Sequence, residues 1–482
     1  MRSVPRSMFL VLVALAGCDG DTTADDAAVA MRDAQTPLTD ALGLDAPGLD
    51  ARRLEDAFTA DAPVVEHDTN EPDAATRDLD AVVAELASCD PTRFDRALHE
   101  IAWSEGWPLE GEGRWLFATR LEGSVPSASL VGDLGDWDTT RWPATRCGDG
   151  SRFYVVIDEA TTTSSPVGSK YKWYVARDDA YLVPPEATQY GYDEFGRFGW
   201  VRAPRDVAHL EQFPAFVSAH LSDPRAFRAY VPAGFEPHGT SARAARTLLL
   251  HDGQNVFHPD AFFGGWHVDE ALAARGTDVI ALAIDNAPDR MDAYTQVADD
   301  LGGGAIGGRA DDYLALLEDE ALPFFRARYG IVARGRSLMI AGSSLGGLVT
   351  LHAAQRDVAS MGCGAAMSST VGWGSIASSA RGDTAIVETW RGVHAALYLD
   401  SGGGVTGACR DSDADGVQDD ADDSDNYCVN LQLLDVLERA GYARGTSLTY
   451  AWQEGAPHNE AAWASRIGDA LDACARMGWT SP

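Results

Sequence analysis

Basic residues are scarce in this chain. Thirty-eight lysines and arginines stand against 73 aspartates and glutamates in 482 residues, a formal charge of −35. That balance argues against nucleic acid as a partner and does not suit an anionic membrane surface. The N-terminal apolar run, Met8 to Ala14, is too short to span a bilayer. Between Asp19 and about Glu85 no sustained apolar period appears, so nothing there repays the entropy of ordering the chain. The glycine run from Gly302 to Gly308 has no Lys-Ser/Thr after it and follows no predicted strand. That excludes a phosphate loop and, with it, nucleotide binding.

What is present divides the chain. A hydrophobic content of 45% is ample for a core, and the length implies two or three domains. Arg2 and Arg6 precede the Met8–Ala14 run, and Leu15-Ala16-Gly17-Cys18 follows it, as in a secretory signal. Leu-Ala-Gly-Cys resembles the lipobox of bacterial lipoproteins, which implies lipidation at Cys18 and an exported, membrane-anchored protein on the periplasmic or cell-surface side of an envelope. The expected organisation is a signal peptide over 1–18, a disordered acidic tether over 19–86, a β-sandwich over 87–204, and an α/β domain over 205–482 with an insertion at 409–428. Export favours disulfides. With Cys18 set aside, location suggests Cys89–Cys147, Cys363–Cys474 and Cys409–Cys428.

The β-sandwich expectation rests on short β-rich segments such as Arg114–Arg120, Phe153–Ile157 and Tyr171–Val175, separated by turn residues. Val131-Gly132-Asp133-Leu134-Gly135-Asp136-Trp137 and Lys170-Tyr171-Lys172-Trp173-Tyr174-Val175 resemble immunoglobulin-like early-set domains related to the carbohydrate-binding modules of branching enzymes. Trp137, Trp142 or Trp173 could stack on sugar rings, but a small sandwich also needs core aromatics.

The stretch Leu338-Met339-Ile340-Ala341-Gly342-Ser343-Ser344-Leu345-Gly346-Gly347 organises the last domain. An apolar strand meets Gly-x-Ser-x-Gly and continues as a helix, the pattern of an α/β-hydrolase nucleophile elbow with Ser344 at its apex. Buried strands are expected at Thr247–Leu250 and Val279–Ile284, and a helix over Asp311–Tyr329 ended by Gly330. This order specifies a doubly wound parallel sheet of the α/β class. Oxyanion donors fall on Leu345, after the nucleophile, and on Gln254 or Asn255 in the loop after the first buried strand.

Of the histidines after Ser344, His458 lies in a loop between the β-patterned Leu448–Trp452 and a helix, where a general base belongs. Leu250-His251-Asp252-Gly253-Gln254-Asn255, Ala283-Ile284-Asp285-Asn286 with Arg290 and Tyr294, the elbow, Tyr398-Leu399-Asp400-Ser401-Gly402 and His458-Asn459-Glu460 with Trp463 form one set. Together they resemble the esterases grouped with enterochelin esterases, feruloyl esterases and esterase D, over residues 210 to 480. The resemblance implies hydrolysis of a small-molecule or glycan-linked carboxylic ester by Ser344 and His458, with no catalytic cofactor. It places the acid at Asp425, before a helix over Val429–Arg439, with Asp400 as the alternative.

Asp411, Asp413, Asp415, Asp419 and Asp422, with Gly416 and the Val417 carbonyl, alternate as calcium ligands do, and the pattern resembles thrombospondin type 3 loops. A structural calcium is therefore expected there. Two other functions fit the same residues: acyl transfer on a related fold, and a non-catalytic glycan-binding lipoprotein.

Overall fold

The computed structural model describes residues 78–148, 150–259, 261–276, 278–300, 304–376, 385–405, 408–411, 414–418 and 425–482. Cys18, the segment over 1–77, and Asp413, Asp419 and Asp422 lie outside these residues. The described chain forms two compact units, 78–216 with 226–235, and 217–225 with 236–482. All three expected disulfides are present: Cys89–Cys147, Cys363–Cys474 and Cys409–Cys428.

The first unit holds two antiparallel sheets. Arg114–Arg120 lies between Leu109–Gly111 and Arg152–Asp158 in one of them. Ser129–Gly132, Lys170–Val175, Gly196–Trp200, Gln189–Asp193 and His209–Phe216 run side by side in the other. Trp115 and Phe117 share one buried cluster with Phe153, Leu130 and Trp173. The alternate residues Leu116 and Ala118 belong to a different cluster, with two helices, Leu79–Ala87 and Pro91–Trp103. Both faces of the strand are thus covered, as its unbroken apolar sequence requires.

Two boundaries differ from the sequence expectation. The tether does not extend to 86, because Leu79, Val82 and Leu86 recur at helical spacing and are buried against that sheet, with Asp78 capping the helix. The α/β unit does not begin at 205, because the strands His209–Phe216 and Arg225–Val231 fall almost entirely in the first unit. They pack with the first unit through Trp103, whose ring lies 5.3–5.5 Å from Phe213, Phe216 and Phe227. Trp173 is a core residue, whereas Trp137 is on the surface with its Nε1–H bonded to Asp133.

The second unit is an α/β layer structure. Its strands are β1 (Arg246–Leu250), β2 (Val279–Ile284), β3 (Leu338–Ser343), β4 (Cys363–Met367), β5 (Ala396–Ser401) and β6 (Leu448–Trp452). Five parallel pairings set them in the order β6-β5-β4-β3-β1-β2. The longer helices are α1 (Val268–Arg275), the continuous stretch α2 over 310–329, α3 (Leu345–Gln355), α4 (Tyr427–Arg439) and α5 (Glu460–Arg476). Helix α2 ends where Gly330 adopts φ 71°, a left-handed cap that glycine takes without strain.

After β2 the chain crosses over β1 to form β3 on its other side. The strand order reverses there, so the loops after β1 and β3 flank a crevice at the carboxyl edge, where such sheets bind ligands. Register does the rest. Ser343 pairs with Met367, Met367 with Asp400, and Asp400 with Ala451, so four consecutive strand ends finish level.

Candidate active site

Ser344 follows β3 directly and starts α3. Its backbone is held at φ 55°, ψ −123°, a conformation that costs about 1–3 kcal/mol and persists only where surroundings impose it. They do so here. The Ser344 N–H donates to Met367 O at 3.0 Å, and the Thr370 N–H donates to Ser344 O at 3.2 Å. A β-carbon on Gly342 would lie 2.6 Å from the Gly346 carbonyl, so the bend is possible only with glycine. The Ser344 hydroxyl is partly exposed and lies 3.3 Å from Thr370 Oγ1.

His458 is supplied by the loop between β6 and α5. Its Nδ1 lies 2.7 Å from Asp425 Oδ1, and both side chains are almost fully buried. The other ring nitrogen, Nε2, is buried and has no hydrogen-bond partner among the described residues. A buried imidazole nitrogen left unpaired is costly, which is the condition of a base whose proton donor arrives with the reaction. Trp463 meets the imidazole edge-on, ring centroids 5.0 Å apart, and fixes its plane.

Asp425 and Asp400, the two candidate acids, have different surroundings. Asp425 precedes α4 with φ 59° and accepts at Oδ2 from the Gly402 N–H and from the Ser368 hydroxyl, the latter at 2.7 Å. Asp400 makes no hydrogen bond or ion pair with His458. It accepts from the Ser368 N–H at 3.1 Å, the Tyr398 hydroxyl at 3.2 Å and Arg466 Nε at 3.1 Å. Burial pushes its carboxyl up to about 6 against the pull of Arg466. Asp400 therefore stands one layer behind Asp425.

Ser368 joins the layers. Its hydroxyl accepts from Trp463 Nε1 at 3.1 Å and from Arg466 Nη2 at 2.7 Å, which fills both lone pairs and directs its proton to Asp425. Arg466 Nη2 is also 3.6 Å from Asp425 Oδ2, so one guanidinium faces two buried carboxylates. Sequence reasoning missed Ser368, Thr370 and Arg466. Their signal is positional: the first two follow a strand end, and Arg466 lies two helical turns beyond His458.

Across the crevice, the loop after β1 is fixed by Asp252, whose carboxylate accepts from Arg290 Nε at 2.7 Å, Arg290 Nη2 at 2.9 Å and Asn286 Nδ2 at 2.6 Å. Burial opposes its charge, yet Arg290 and Asn286 hold the carboxyl below its ordinary value. The Gln254 side chain accepts from the Asn286 N–H at 3.0 Å. Asn255 N–H donates to Asp252 O at 2.9 Å, leaving Gln254 as the oxyanion candidate of the two. Leu345 is buried at the first position of α3, where a helix amide has no intrahelical acceptor. Asn255 Nδ2 donates to Glu460 Oε1 at 3.2 Å, and burial raises the Glu460 carboxyl to about 7.

Trp266 and Trp373 are core residues, packed on Trp463 and bonded to Val297 O respectively. In the 409–428 insertion, Asp411 accepts from the Ala414, Asp415 and Gly416 N–H groups, Asp415 from the Val417 N–H, and Val417 is buried. Among the described residues no group of three or more His, Cys, Asp or Glu is placed to hold a metal ion. No described helix is long and apolar enough to cross a membrane.

A doubly wound sheet whose third strand turns at such an elbow is an α/β-hydrolase. The family model described as Putative esterase matches residues 218–466, just over half of the 482. The chain belongs to that family and is a carboxylic ester hydrolase. Among solved structures it is similar to a ferulic acid esterase (17% identity, 56% of this chain and 99% of that one, TM-score 0.40). It is also similar to the enterobactin esterase of Shigella flexneri (13%, 75% and 92%, 0.40) and a siderophore hydrolase of Aspergillus nidulans (19%, 55% and 94%, 0.39). No curated protein matches the chain.

Proposed function

We propose that the protein is an exported serine esterase whose triad is Ser344, His458 and Asp425. The observation that carries this reading is the Asp425–His458 bond of 2.7 Å with Nε2 left buried and unpaired, in a unit whose elbow presents Ser344. His458 takes the Ser344 proton as Oγ attacks the ester carbonyl, then returns it to the leaving alcohol. Asp425 fixes the tautomer that leaves Nε2 free to accept. The Leu345 and Gln254 amides hold the oxyanion, each donor worth roughly 3 kcal/mol in the transition state. Water then repeats the attack on the acyl-enzyme. The substrate is a small-molecule or glycan-linked ester.

Export as a lipoprotein anchored at Cys18 rests on the sequence of residues 1–18, and the three disulfides suit an oxidising compartment. The acidic pattern of 409–428 favours a structural calcium, held at the base by the Cys409–Cys428 bridge. The test is turnover of short-chain p-nitrophenyl esters by the full chain beside Ser344→Ala, each with and without EDTA. Turnover should vanish in Ser344→Ala, and chelation should lower the melting temperature. Turnover undiminished in Ser344→Ala would remove the serine mechanism.

A further inference from the structure

An open cavity of about 520 Å³ lies at the amino-terminal end of β3, lined by Arg326, Val332, Arg334, Arg336, Ser360 and Pro482 among others. Arg334 and Arg336 precede β3, whereas Ser344 follows its other end. A six-residue strand separates them by about 20 Å, so this cavity is not part of the hydrolytic site.

Its charge is unusual for so acidic a chain. Arg326 is half-buried, and its guanidinium is fixed by donating from Nε to Val332 O at 3.2 Å and from Nη2 to Ala333 O at 2.8 Å. Those are carbonyl acceptors, so the positive charge is oriented without being neutralised. Arg334 and Arg336 make no side-chain hydrogen bond or ion pair among the described residues. Desolvation, and then the charge of Arg334, depress the Arg326 pKa, which places two guanidinium groups in mutual repulsion. Glu318 opposes this weakly, and its Oε1 already accepts from the Ala359 N–H at 2.7 Å. Arg334 and Arg336 are exposed and Arg326 is half-buried, and like charges lining one open cavity are relieved by an anion. Planar guanidinium forks suit a tetrahedral oxyanion with several acceptor oxygens.

We infer that the Arg326–Arg334–Arg336 cavity is a binding site for a phosphate group, distinct from the ester-hydrolysing site and independent of how that site works. The shared chemistry admits a soluble phosphate or a phospholipid headgroup. The experiment uses the full chain carrying Cys18→Ser, so that no acyl anchor can attach, beside the same chain with Arg334→Gln and Arg336→Gln. Melting temperature is followed against inorganic phosphate, with sodium chloride at matched ionic strength as the control. The parent should gain about 3 °C at ten times the dissociation constant. The double variant should bind at least tenfold more weakly, with its melting temperature in chloride unchanged. Sedimentation with phosphatidylglycerol vesicles, against phosphatidylcholine vesicles, separates the sources. Retention by the former that is lost in the double variant assigns a lipid headgroup, and phosphate binding without retention assigns a soluble phosphate. Absence of both responses in the parent, or equal responses in the double variant, overturns the assignment.

Discussion

Replacing Asp425 by asparagine should disable the histidine without moving it, and the structure says why. One carboxylate oxygen, Oδ2, accepts from the Gly402 N–H, a backbone donor that cannot turn round. It also accepts from Ser368 Oγ–H, whose own lone pairs are filled by Trp463 and Arg466. Two committed donors therefore claim the carbonyl oxygen of the new amide and turn its NH₂ group toward His458. The imidazole must then accept at Nδ1 and carry its proton on Nε2, where it cannot receive the serine proton. Wrong-tautomer substitutions of this kind lower kcat by about 10⁴. KM should change less than threefold, since Asp425 is buried beneath the histidine and lies away from the crevice. Asp400→Asn, one layer further back, should cost no more than about tenfold. Steady-state turnover of p-nitrophenyl acetate on both variants measures this. If Asp425→Asn kept a tenth of the parental kcat while Asp400→Asn lost a thousandfold, the acid would be Asp400 and the tautomer argument would fail.

Two further outcomes follow from the same network. Arg466→Met should destabilise the protein strongly, by about 3–5 kcal/mol in chemical denaturation, because Asp400 is then left buried and unpaired, whereas Arg466→Met with Asp400→Asn should recover much of that loss. A double variant no more stable than the single one would show that Asp400 is not the group Arg466 compensates. Glu460 has a folded pKa raised to about 7 against 4.5 unfolded, so the unfolded state loses its proton first and stability falls as pH rises from 4.5 through 7. Glu460→Gln keeps an acceptor for Asn255 and removes that slope, so its melting temperature should gain on the parent between pH 5 and pH 8. A constant difference across that range would mean Glu460 is ionised throughout.

Much of the site is legible locally. Ser344, His458 and Asp425 each sit at the edge of a regular segment, and β1, β2, β3, β5 and β6 announce themselves as apolar runs. Strand β4 does not. Cys363-Gly364-Ala365-Ala366-Met367 has no β-branched or aromatic residue, so its β character comes from lying between β3 and β5. Ser368 is hidden with it. Of the two candidate acids, Asp425 bonds to His458, whereas Asp400 is engaged by a guanidinium 66 residues further on, a pairing that no local pattern could reveal. The helix Leu79–Ala87 was similarly obscured, since its apolar stripe is short and the face that covers it lies in Arg114–Arg120.

The bond from Gly402 N–H to Asp425 reaches across 23 residues, and Gly403 N–H donates to Ala456 O, next to the His458 loop. The chain thus leaves the catalytic edge and returns to it through the same carboxylate. Whatever the excursion between them contains, its base is tied off at both ends. Exchanges in that span leave in place the bonds from Gly402 and Ser368 that hold Asp425 against His458. For an engineer it is a socket: a place where sequence can be exchanged while the anchors of Asp425 stay outside the exchanged span.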